Sequence, residues 1–128
     1  MEDSFSQYSH EKLKNAFDKL NEGADIADDE LQRDGVIKRF EFTFELLWKT
    51  LKIYLENQGI IVRSPRESLK EAFKLNLIED EKVFLDMLKD RNETTHIYDK
   101  ETADKIFNRI KSDYIPAIEN VVKKLVID

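Results

Sequence analysis

The sequence has no cysteine, and only three glycines and two prolines among its 128 residues. Without cysteine the chain can form no disulfide, supply no thiol nucleophile and build no cysteine-ligated zinc site. The scarcity of glycine and proline argues against a turn-rich β-sandwich, and the abundance of Lys, Glu, Leu and Asp favours helix. The composition therefore predicts an all-α fold.

Long apolar runs and an excess of positive charge are also absent. No stretch reaches the roughly 18 apolar residues that a membrane helix needs, and the polar, acidic segment 1–14 does not resemble a secretory signal. We therefore expect a cytoplasmic location. The net charge of −6 disfavours broad coating of nucleic acid, which requires Lys and Arg, but it permits a local basic patch or a protein partner.

Apolar residues recur at helical spacing in five segments of the chain. The segments are approximately 3–23, 29–58, 64–75, 80–95 and 99–125. Short links between them predict an up-and-down antiparallel helical bundle, with a four-helix core, in a single domain spanning residues 1–128. The second helix carries an extra apolar line, Phe42, Leu46 and Ile53, beside its main stripe. This line indicates either a central position in the bundle or contact with a second copy of the chain.

Local signals predict several helix boundaries. Ser64 followed by Pro65 is a typical helix start, and Asp99 can cap the first turn of the fifth helix. We expect Gly23 to end the first helix. Pro116 falls inside the apolar pattern of the fifth helix, where it should produce a kink.

Motifs for cofactors and metals are not found in the sequence. The three glycines are isolated, so there is no glycine-rich phosphate loop, and the two histidines match no metal-ligand spacing. We therefore predict no cofactor and no metal site.

The segment KDRNETTHIYDKET, residues 89–102, concentrates side chains that can carry chemistry. It holds Arg91, Asn92, His96 and Tyr98 at the junction of two predicted helices. Arginine can grip a phosphate with two hydrogen bonds, and histidine can move a proton near pH 7. Together with the uncharged donors and acceptor of Asn92, these groups could cleave RNA without a metal ion.

A structural interpretation of the same residues is also open. Arg91 could pair with Asp90 or Glu93, His96 could cap a helix end, and Tyr98 could pack. On a continuous helix Arg91 and His96 would point about 140° apart, so only a turn could bring them together.

A second candidate site is a basic stripe at the third helix. It consists of Arg63, Arg66, Lys70 and Lys74. The last three follow at four-residue spacing and could contact RNA phosphates. The alternative is a solvated helix face, because Glu67 and Glu71 adjoin the stripe.

Two stretches resemble a known family. FEFTFELLWKTLKIYLENQG (residues 40–59) and DRNETTHIYDKETADKIF (residues 90–107) are similar to the signatures of the nucleotidyltransferase substrate-binding protein family. The second contains the Arg-x-x-x-x-His-x-Tyr motif of HepT-like proteins in the HEPN superfamily. The resemblance implies a helical bundle that forms a homodimer and works with an MntA-like minimal nucleotidyltransferase.

The resemblance implies one of two activities. In one description such proteins are the substrate-binding half of a two-component nucleotidyltransferase. In the other they are toxins of a type VII-like toxin–antitoxin pair, metal-independent endoribonucleases whose site forms at the dimer interface. Carried onto this chain, Arg91 and His96 are then the catalytic pair, Asn92 supports the arginine, and Tyr98 accepts the AMP that neutralises the toxin. A third possibility is a helical interaction module without chemistry.

Overall fold

The computed structural model describes residues 4–96 and 99–125, with side chains from residue 6 onward, and confirms the all-α class. The helices are α1 Ser4–Ile26, α2 Glu30–Asn57, α3 Pro65–Lys74, α4 Glu81–Glu93, α5 Lys100–Arg109 and α6 Ile115–Leu125. A 3₁₀ turn, Thr94–His96, follows α4, and a π-helical turn, Ile110–Tyr114, joins α5 to α6. No strand occurs within these ranges. Because α5, the π turn and α6 are continuous, they form the single fifth helix that the sequence predicted.

Helix α2 lies at the centre of the bundle and packs against α1, α3, α4 and α5. Its inward side chains are almost completely buried. They include Val36, Phe40, Phe44, Leu47 and Leu51. Each fully buried apolar side chain of this size stabilises the fold by roughly 1.5–3 kcal/mol before entropy is counted. Among the described helices, none is both long and apolar enough to cross a membrane.

The second apolar line of α2 faces outward. Phe42 keeps 58% of its surface exposed and Leu31, about three turns earlier on the same face, keeps 80%. Leu46 and Ile53 are half-buried. One side of α2 therefore forms part of the core, and the opposite side carries apolar side chains on the exterior of the bundle.

The predicted helix starts are confirmed. The hydroxyl of Ser64 accepts a hydrogen bond from the backbone N–H of Glu67 at 3.1 Å, with Pro65 in the first turn. The carboxylate of Asp99 accepts one from the N–H of Thr102 at 3.0 Å, and this bond lowers the pKa of Asp99 below its usual value. Each cap satisfies a backbone donor that the helix itself cannot pair.

The prediction that Gly23 ends the first helix is wrong, because α1 continues to Ile26. Gly23 lies instead where Arg39 of α2 crosses α1. A Cβ at Gly23 would come within 2.8 Å of Nη1 of Arg39, which donates to the carbonyl of Lys19 at 2.6 Å. The glycine permits a close approach between two helices.

The segment directly before Pro116 forms a π-helical turn. The N–H of Ile115 donates to the carbonyl of Ile110, five residues earlier. Such a turn accommodates one extra residue and changes which side chains face inward. Here it accompanies the burial of Tyr114, which is 1% exposed.

Candidate functional site at the end of helix α4

The motif residues lie where α4 ends. Arg91 is in the last turn of α4, Asn92 follows it, and His96 is the last residue of the 3₁₀ turn. The hydroxyl of Thr94 donates to the carbonyl of Arg91 at 2.7 Å, which closes the helix end. The predicted turn between the two helices is therefore present at His96.

Arg91 pairs with a residue that neither interpretation of the sequence named. Its Nη2 donates to Oε1 of Glu45 on α2 at 3.1 Å, and both side chains are about one-third exposed (35% and 34%). The same Oε1 accepts the indole N–H of Trp48 at 3.0 Å. The structural alternative in which Arg91 pairs with Asp90 or Glu93 is not observed, because the side chain crosses to the neighbouring helix.

His96 and Asn92 are both exposed. Within the described residues, no hydrogen bond joins either side chain to Arg91 or to another group. The chain's other histidine, His10 on α1, lies with Nε2 at 3.3 Å from the carbonyl of Val122 on α6. Tyr98, the predicted AMP acceptor, lies outside the described residues.

A buried polar cluster adjoins the site. The carboxylate of Asp90 is bound bidentately by Arg109, Nε to Oδ2 at 2.8 Å and Nη2 to Oδ1 at 2.9 Å. The hydroxyl of Tyr114 also donates to Oδ2. Asp90 is only 4% exposed, so these bonds replace the water that the carboxylate loses on folding. Burial and the neighbouring Asp90 raise the pKa of Tyr114 above its ordinary value.

The basic stripe is partly paired with acids. Lys70 contacts Glu81 at 3.5 Å, and Lys74 contacts Glu71 at 3.1 Å. Arg63 and Arg66 are exposed, and no described residue forms an ion pair with either. Two of the four predicted cations therefore keep their side chains free of acidic partners in this part of the chain.

The sequence did not reveal the Asp90 cluster or the role of Glu45. Glu45 pairs with Lys49, one turn later on the same helix, at 3.6 Å. Its second partner is 46 positions away, and the partners of Asp90 are 19 and 24 positions away. Pairs at such separations leave no periodic signal. Within the described residues, no three His, Asp or Glu side chains are grouped as a metal ligand set would be.

Two features, the helical bundle and the placement of Arg91 and His96 at the end of α4, indicate the class to which this protein belongs. The chain belongs to the family described as nucleotidyltransferase substrate binding protein like, whose model matches residues 8–127. The resemblance seen in the sequence is thereby confirmed.

A curated relative and two solved structures are similar to the chain. "Probable ribonuclease HepT" of Haemophilus influenzae is 32% identical over 81 residues, which cover 59% of this chain and 56% of the relative. The match thus spans little more than half the length of that relative.

The solved structures extend the likeness over nearly the whole fold. A protein from Thermus thermophilus is 35% identical with a TM-score of 0.83, over 90% of this chain and 99% of that one. A second, from Haemophilus influenzae, is described as a substrate binding domain of a nucleotidyltransferase. It is 24% identical with a TM-score of 0.75, over 91% of this chain and 98% of that one, and supports the fold alone.

Proposed function

We propose that the chain is a metal-independent endoribonuclease that uses Arg91 and His96. The observation that carries the proposal is the placement of these side chains at the end of α4. Arg91 is partly exposed and held by Glu45, and His96 is exposed in the adjoining 3₁₀ turn. A "Probable ribonuclease HepT" among the relatives supports the same activity.

The chemistry is an internal transesterification of RNA. The ribose 2′-hydroxyl gives up its proton as the 2′-oxygen attacks the phosphorus, and the bond from phosphorus to the 5′-oxygen breaks. The leaving 5′-oxygen takes up a proton, so the products are a 2′,3′-cyclic phosphate and a 5′-hydroxyl. The guanidinium of Arg91 stabilises the extra negative charge on the phosphate oxygens in the transition state. The imidazole of His96 exchanges a proton with one of the two reacting oxygens, and water exchanges a proton with the other.

The site is complete only in a homodimer, in which Arg91 of one copy and His96 of the other act on one phosphate. In a single copy no hydrogen bond joins them. The exposed face of α2 supports an interface at this place, because Phe42 is 58% exposed and lies one turn from Glu45, the partner of Arg91. Leu31 extends the apolar face toward the start of α2.

Arg63 and Arg66 are the cations best placed to bind an RNA strand outside the reacting phosphate. Both are exposed without an acidic partner among the described residues, whereas Lys70 and Lys74 are paired with Glu81 and Glu71. A strand that engages all four must compete with these acids. The contribution of the stripe therefore rests mainly on its two arginines.

The test of the activity is RNA cleavage by the purified protein in the presence of EDTA. We expect His96→Ala to lower the cleavage rate by about 10²–10⁴-fold, the usual contribution of a positioned acid or base. Arg91→Ala should lower it by about 10²–10³-fold, as expected for loss of a charge-stabilising donor. Thr95→Ala, in the same exposed turn, is the matched control and should cleave like the wild type. Cleavage that persists in both motif variants contradicts the proposal.

The partner is an MntA-like minimal nucleotidyltransferase that neutralises the ribonuclease by adding AMP to Tyr98. The family description supports a nucleotidyltransferase partner. The chain has four tyrosines, and among the described ones only Tyr8 is largely exposed, at 59%. Since the chain has more than one tyrosine, the modified residue must be identified by substituting the tyrosines one at a time.

Intact mass after co-expression with the nucleotidyltransferase tests this regulation. We expect mass increments of whole adenylyl groups in the wild type and in Tyr8→Phe, and none in Tyr98→Phe. Increments that persist in Tyr98→Phe place the modification elsewhere.

A second candidate is a non-catalytic substrate-binding subunit of a two-component nucleotidyltransferase. It is favoured by the family description and by the ion pair between Arg91 and Glu45, which is also what a structural arginine forms. This function predicts a stable complex with the nucleotidyltransferase and no RNA cleavage at any protein concentration.

A further inference from the structure

Glu45 on α2 connects the candidate catalytic arginine to the chain's single tryptophan. Its Oε1 accepts both the N–H of Arg91 at 3.1 Å and the indole N–H of Trp48 at 3.0 Å. Its Oε2 lies 3.6 Å from the ammonium of Lys49. Two hydrogen-bond donors and one ammonium group, from two helices, therefore converge on one carboxylate beside the motif.

This contact leaves most of the guanidinium available. Arginine has five N–H donors in a fixed planar fork, and the bond to Glu45 comes from Nη2. No other described residue accepts from this guanidinium. Nε and Nη1 are thus free to bind a phosphate, while Nη2 fixes the plane of the fork.

The same contact is a weak source of stability. Both side chains are about one-third exposed, and ion pairs of such exposure contribute little to stability. Lys49, near the second oxygen, offsets the negative charge that would otherwise repel an incoming phosphate. The arrangement thus contributes more to the orientation of Arg91 than to the fold.

We propose that Glu45 is a positioning residue that orients the Arg91 guanidinium toward an RNA phosphate, and that Trp48 reports this contact through their shared carboxylate oxygen. The role rests on the proposed ribonuclease activity. Glu45 does not touch the reacting atoms and acts only through Arg91. Since Trp48 is the one tryptophan in the sequence, its fluorescence needs no label to report on Glu45.

The experiment compares Glu45→Ala and Glu45→Gln with Glu41→Ala, which removes a carboxylate one turn earlier that pairs with Lys38. Misplacing a catalytic group by about 1 Å can cost about 10²-fold in rate. We therefore expect Glu45→Ala to lower kcat by about 10–10²-fold with a much smaller change in KM. Glu45→Gln keeps an acceptor oxygen and should recover most of the rate, and Glu41→Ala should behave like the wild type.

Trp48 emission supplies a second readout that needs no turnover. Emission should change in Glu45→Ala and in Arg91→Ala, and binding of an uncleavable 2′-O-methyl RNA should shift it in the wild type but not in Arg91→Ala. Wild-type kcat and unchanged emission in Glu45→Ala overturn the positioning role alone. A wild-type protein that cleaves no RNA overturns the proposed activity, and the positioning role with it.

Discussion

Asp90 and Arg91 are neighbours in the chain but have different partners. Successive residues of a helix point about 100° apart, so Asp90 faces Arg109 and Tyr114 while Arg91 faces Glu45 on α2. The backbone that carries Arg91 is thus fixed from one side by a buried carboxylate, and its side chain is fixed from the other. The second contact is the one that involves the arginine of the motif.

The buried carboxylate makes Arg109 important for stability. We expect Arg109→Ala to lower the free energy of unfolding by about 3 kcal/mol, the lower end of the range for removing one partner of a buried ion pair. The lower end applies because the Arg109 side chain is itself 42% exposed and because Tyr114 still bonds to Asp90. Urea unfolding followed by circular dichroism measures the change.

Lys105→Ala on the same helix is the control for that measurement. Its pair with Glu101 is fully on the surface, with side chains 65% and 79% exposed, and such pairs contribute about 0–1 kcal/mol. Equal losses of stability in the two variants would mean that the Asp90 cluster adds nothing beyond a surface ion pair.

At the scale of helices, the parts of the fold that depend on neighbouring residues could be predicted from the sequence. The caps at Ser64 and Asp99 use a side chain and an N–H three positions apart, so the residue types alone indicate them. The main stripe of α2 was also evident, because burial on one face imposes a period of about 3.6 residues.

Features that depend on another helix were not predictable in the same way. Glycine is a residue type that often ends helices, yet the role of Gly23 is set by Arg39, whose side chain crosses α1 at that point. The π turn before Pro116 ends at Tyr114, whose hydroxyl bonds to Asp90 on α4. Glu45 and Arg91 meet only because α2 and α4 pack together. In each case the second partner is distant in the sequence.

In the candidate site, too, the local features were predictable from the sequence and the contact with another helix was not. The motif Arg91, Asn92 and His96 was identified from the sequence together with the turn that holds it. The partner of Arg91, Glu45, was not, because an acid on a long charged helix gives no sign of which cation it will meet. The place of Tyr98 relative to these residues stays a prediction.

At the scale of the whole molecule, a two-fold dimer would account for two features of the single chain. It would cover the apolar face of α2 that contains Phe42 and Leu31, and it would bring two copies of Arg91 together in a protein whose net charge is −6. A two-fold interface is self-complementary, so a residue near its axis meets its own copy. We therefore propose that each cleavage site contains Arg91 from one copy of the chain and His96 from the other.

A mixed dimer tests that claim most directly. Chains carrying Arg91→Ala and chains carrying His96→Ala, with different affinity tags, are co-expressed and purified through both tags, and RNA cleavage is measured beside each parent homodimer. Both parents should be inactive. The mixed dimer should recover about half of the wild-type rate, because two-fold symmetry leaves one of its two sites with both residues intact. A mixed dimer that forms but remains as inactive as its parents would contradict a site shared between copies.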